Sequence, residues 1–126
     1  MMIDTVAGYR ATLFDGEAEL AWLRQGWRAL RLYGRKAKSA MLAGDMALKG
    51  QMVTRADQLL VLMTGILDTA PGTTLGPRLM TIYGVLQTTL LRANLQNDTA
   101  ALDEFDQAIE NLVRDMLEIP EPRSAS

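Results

Sequence analysis

The chain has 126 residues, 48% of them apolar and 22% charged, with a formal net charge of −2. That is the size and composition of one globular domain with one core, and it excludes disordered and collagen-like chains. There is no Cys and no His, so thiol nucleophiles, disulfides, zinc fingers, imidazole general bases and phospho-accepting histidines are all excluded.

Residues 1–14 read as a short N-terminal arm holding Tyr9, Leu13 and Phe14. Its opening, Met1-Met2-Ile3-Asp4, has an acid where a signal peptide carries basic charge. The longest strongly apolar uncharged stretch, Leu79 to Leu91, is 13 residues, short of the roughly 20 that span a bilayer. A cytoplasmic location without membrane insertion is the expectation.

The first helix has the stripe Leu20, Leu23, Trp27, Leu30, Tyr33, Ala37 and Met41, at steps of three and four, between Asp15-Gly16 and Gly44-Asp45. Asp45 then caps a second helix, with Met52, Val53, Ala56, Leu59, Leu60, Met63, Ile66 and Leu67 inward, ending near Asp68. After the turn cluster 69–74, Thr74 is expected to cap a third helix that carries Pro77 in its first turn. Leu75, Leu79, Ile82, Tyr83, Leu86, Leu90 and Ala93 form its stripe. Asp98 caps a fourth helix with Leu102, Phe105, Ile109, Leu112 and Met116 inward, and residues 120–126 read as a loose tail. The expected fold is all-α: an antiparallel up-down four-helix bundle over residues 15–119.

Arg24, Arg28, Arg31, Arg35 and Lys38 make a basic stripe on the first helix, and no acid occurs between Glu19 and Asp45. The fourth helix has the opposite sign, with Asp103, Asp106, Glu110, Asp115 and Glu118. Complementary packing of these two helices accounts for the stripe better than nucleic-acid binding, because interleaved aromatics are missing. Without His there is no Glu-x-x-His di-iron site, and the inward positions of the last helix are apolar, so no metal or cofactor is expected. An all-helical enzyme using Arg and Glu, as chorismate mutases do, remains the catalytic alternative to a non-enzymatic binding protein.

Eight methionines, together with Leu48, Leu62, Leu91 and Leu95 lying off the main stripes, point to surplus apolar surface on the second and third helices. Such surface suits an amphipathic-helix partner.

The runs Leu79-Met80-Thr81-Ile82-Tyr83-Gly84-Val85-Leu86 and Leu90-Leu91-Arg92-Ala93-Asn94-Leu95-Gln96-Asn97-Asp98 resemble the third helix of the FliS family of flagellar secretion chaperones. Ala56-Asp57-Gln58-Leu59-Leu60, Leu67-Asp68 and Gly44-Asp45 resemble the second helix and the turn before it, so the likeness covers roughly residues 20–117 in register. The family's Leu-Tyr-Asp-Gly falls on Gly26, Trp27, Arg28 and Ala29, which keeps only the aromatic, and its Ser-Pro helix opening falls on Ala18-Glu19. Tyr9 stands where the family has an N-terminal tyrosine.

The resemblance implies a cytoplasmic chaperone that binds the disordered C-terminal segment of flagellin, prevents premature polymerisation and delivers it to the export gate protein FlhA. It implies client-binding residues among Leu48, Met52, Leu62, Leu79, Ile82, Tyr83, Leu86, Leu90 and Asn94, and gate docking through Tyr9. The arm is expected to fold over the client groove until flagellin displaces it. A homodimer through the same apolar surface and an adaptor for another helical partner are the remaining readings.

Overall fold

The computed structural model describes residues 17–67 and 70–118. The N-terminal arm, Asp68 and the tail lie outside the described residues. The described residues form four helices: α1 (Glu17–Leu42), α2 (Met46–Gly65), α3 (Leu75–Gln96) and α4 (Thr99–Glu118). Each packs on the next, and α4 returns to α1 to close the ring. Pairing runs antiparallel throughout: Arg31 meets Asp106 where Lys38 meets Asp103, and Lys49 meets Asn97 where Asp57 meets Gln87. The up-down bundle expected from three short connections is the one formed.

The core is built from the inward stripes. Leu23, Trp27, Leu30, Leu60, Met63, Leu79, Tyr83, Leu86, Leu90, Phe105 and Ile109 are all fully buried. Their close packing supplies most of the driving force for folding. On the bundle's diagonal, the Trp27 Nε1–H donates to the Tyr83 hydroxyl at 2.9 Å, so two large amphipathic rings enter the core without leaving a polar atom unpaired. Two glycines permit close approach of the helices. A Cβ on Gly34 would stand 3.0 Å from the Phe105 ring, and one on Gly26 would stand 2.6 Å from the Met63 methyl.

Two of the turns use the same device. Gly44 (φ 75°) and Asn97 (φ 50°) adopt the left-handed conformation just past a helix end. The next amide, of Asp45 or Asp98, then bonds back to Ala40 or Ala93, satisfying carbonyls that the helix leaves open. The same aspartates cap the following helix. Asp45 accepts from the Leu48 amide at 3.1 Å, and Asp98 accepts from Ala100 and Ala101 at 3.0 and 3.3 Å. A left-handed residue followed by Asp thus ends one helix and starts another within two positions.

One boundary and one cap bond differ from the sequence expectation. The second helix stops at Gly65 with Ile66 as its cap, and Leu67 enters the core beyond the helix end. Thr74 makes no side-chain cap bond. Pro77 occupies the third helical position, where a capping hydroxyl finds its amide partner, and proline has no N–H to offer.

Candidate functional site

Charge and apolarity separate onto different sides of the bundle. Arg31 donates to both carboxylate oxygens of Asp106, at 2.9 and 3.0 Å. Arg35 lies 3.3 Å from the same carboxylate, and Lys38 lies 2.6 Å from Asp103. The two-pronged hydrogen bond from Arg31 holds the Asp106 carboxyl below its ordinary range and raises Arg31 in return. Three of the five basic-stripe residues are therefore engaged with α4, as complementary packing of the first and last helices requires. Arg24 and Arg28 make no ion pair among the described residues.

Exposed large apolar side chains gather on the other two helices. They are Met46, Leu48, Val61 and Leu62 on α2, and Met80, Val85, Leu91 and Leu95 on α3; α1 adds Leu32 and Leu42, and α4 adds none among the described residues. Correspondingly, α1 and α4 are strongly amphipathic while α2 and α3 are weakly so. Helices that are apolar on more than one side belong either inside a larger core or against a partner.

The exposed groups form two facing stripes. On α3, Met80, Gly84, Gln87, Leu91 and Leu95 recur at steps of four, three, four and four. On α2, Met46, Gly50, Asp57 and Val61 recur at four, seven and four. Both stripes border the α2/α3 seam, because Gln87 donates to Asp57 across it at 3.3 Å. Since the helices are antiparallel, Met46 lies toward Leu95 and Val61 toward Met80. Gly50 and Gly84 sit in these stripes with nothing within 4 Å of a would-be Cβ. Each glycine disfavours the helix by up to about 1 kcal/mol relative to Ala, and no neighbour among the described residues requires it.

One end of the seam is fastened by Lys49, a buried lysine from the first turn of α2. Its Nζ donates to the Asn97 side-chain oxygen at 2.7 Å and to the Asn94 carbonyl at 3.2 Å, closing the open C-terminus of α3.

The nine residues singled out as client-binding do not form one surface. Met52, Leu79, Tyr83, Leu86 and Leu90 are buried in the core, Ile82 and Asn94 are half-buried, and Leu48 and Leu62 are exposed. Leu48 and Leu62 lie on the side of α2 turned away from α3, and Asn94 presents its backbone carbonyl to Lys49. Burial also pushes the Tyr83 hydroxyl up to about 12. Tyr9 lies outside the described residues. Leu91 and Leu95, recognised in the sequence as off-stripe, are 57% and 72% exposed and carry the seam face. Met46 and Met80 are among the methionines that point in the sequence to a partner surface, whereas Val61 has no such signal; Gly50 and Gly84, in register with them, are the further sign.

Residues 20–119 match the family model described as Flagellar protein FliS. No curated protein matches the chain. Among the described residues, no helix is long and apolar enough to cross a membrane.

Proposed function

The chain belongs to the FliS family, and from that premise we propose that it is a non-enzymatic flagellar export chaperone for the C-terminal segment of flagellin. The client lies as amphipathic helices along the α2/α3 face. Met46, Val61, Met80, Leu91 and Leu95 supply the apolar contact, while Gly50 and Gly84 let a partner backbone approach. The observation that carries this reading is the pair of facing apolar stripes on one seam of a bundle whose core is already complete. Leu48 and Leu62 extend the contact around α2.

Binding an unfolded segment costs ordering entropy, which moderates affinity and keeps the client releasable to the export machinery. In this proposal the chain works in the cytoplasm, holds flagellin from early polymerisation and hands it to FlhA, with Tyr9 contributing to the docking. The arm shields the seam until the client arrives. Co-expression with the flagellin of the same organism tests the proposal: a stable complex should form and should be lost when the client's C-terminal segment is deleted. Leu91→Glu/Leu95→Glu should abolish capture without changing the melt of the free chain. Failure of the wild-type pair to co-purify would defeat the reading.

A further inference from the structure

On the outer side of α1, Arg28, Leu32, Arg35, Ser39 and Leu42 follow one another at steps of four, three, four and three. All five are exposed, and Leu32 and Leu42 are 49% and 71% accessible. Lys36 stands one turn beyond Leu32. Neither Arg28 nor Lys36 makes an ion pair or hydrogen bond among the described residues, whereas Arg31, Arg35 and Lys38 are all engaged with α4. Around Leu32, the side chains of Gln25, Arg28, Ala29, Arg31 and Arg35 border an open surface hollow of about 480 Å³. No acid occurs on α1 after Glu19 to offset these cations.

We propose that this outer face of α1 is a second docking surface, taking an acidic amphipathic helix of another protein. An apolar residue of that helix would settle in the hollow at Leu32, a second would cover Leu42, and its carboxylates would pair with Arg28 and Lys36, the two cations of this face that α4 leaves unengaged. The charge sets the sign of the partner, and the two leucines set its class. A phosphate backbone has no use for paired apolar sites, and the face has no aromatic ring on which bases could stack, since Trp27 is buried and Trp22 and Tyr33 pack against the core. The surface is separate from the α2/α3 seam and does not depend on what binds there.

The test uses the full chain and two synthetic helical peptides. Both have leucines spaced as Leu32 and Leu42 are; one has glutamates between them and the other lysines. Fluorescence anisotropy should show binding of the glutamate peptide alone, weakening as salt is added. Arg28→Glu/Lys36→Glu should lose about tenfold or more in affinity and gain the lysine peptide, and Arg28→Gln/Lys36→Gln should lose the glutamate peptide without gaining the other. Leu91→Glu/Leu95→Glu should leave this binding unchanged, which separates the outcome from that of the flagellin reading. The proposal is overturned if neither peptide binds, if the two bind equally, or if the charge variants bind like wild type. It is equally overturned if oligouridine binds more tightly than the glutamate peptide, or if the charge reversal instead abolishes self-association of the chain.

Discussion

The Trp27 indole and the Tyr83 hydroxyl satisfy each other in a place where no water reaches either. Removing one partner leaves the other buried and unpaired, which costs more than the bond itself contributes. Tyr83→Phe is therefore expected to lower unfolding free energy by roughly 1–3 kcal/mol in urea titrations, despite conserving volume. Burial also raises the Tyr83 pKa from 10.0 to about 12. A raised folded-state pKa means stability that is whole below pH 10 and is lost as pH climbs from there toward 12, because the unfolded chain releases the proton first. The loss is on the order of 3 kcal/mol, and Tyr83→Phe should remove that part of the alkaline limb. Asp106 acts at the other end of the scale. Its folded pKa is depressed by the Arg31 hydrogen bond, so its contribution is present above the ordinary carboxylate range and disappears as pH falls through the folded value; Asp106→Asn should flatten the acid limb.

At the scale of the elements, the α3 terminus combines a strained backbone with a buried cation. Asn97→Gly would relieve the left-handed conformation but would also remove the oxygen that Lys49 uses, so the two effects oppose and the net change should be small. Asn97→Ala keeps the strain and loses the bond, and should cost about 1–2 kcal/mol by thermal melting. The Gly44-Asp45 and Asn97-Asp98 turns were legible in the sequence because capping chemistry is local. The seam face was only partly legible. Periodicity marks the side of a helix that packs inside its own bundle, which is why Leu79, Tyr83, Leu86 and Leu90 stood out although they are core residues. A partner-binding side adds apolar groups at other angles and so weakens the periodicity; Met46 and Met80 are marked there by residue type rather than by spacing, and Val61 by neither. The end of α2 falls short of the expected one because Leu67 is held by the core beyond the helix, and Thr74 starts α3 without its cap bond because Pro77 has no amide to give.

For the whole molecule, the separation of a complete core from an apolar seam means that, under the proposed function, folding and client binding should be perturbed independently. A ligand that binds only the folded state stabilises it by about 2.7 kcal/mol when present at a hundred times its dissociation constant. In a domain of this size that corresponds to a melting shift of roughly 10 °C. A peptide of the flagellin C-terminal segment should produce such a shift in the wild-type chain. Leu86→Ala removes a fully buried side chain, should cost about 2–5 kcal/mol, and should lower the starting melt while preserving the upward shift. Leu91→Glu/Leu95→Glu changes two side chains that face solvent, so the starting melt should stay near wild type and the shift should vanish. If Leu86→Ala also loses the shift, the client reaches into the core; if the double glutamate variant keeps it, the client lies elsewhere, and the α2/α3 seam is not the flagellin site.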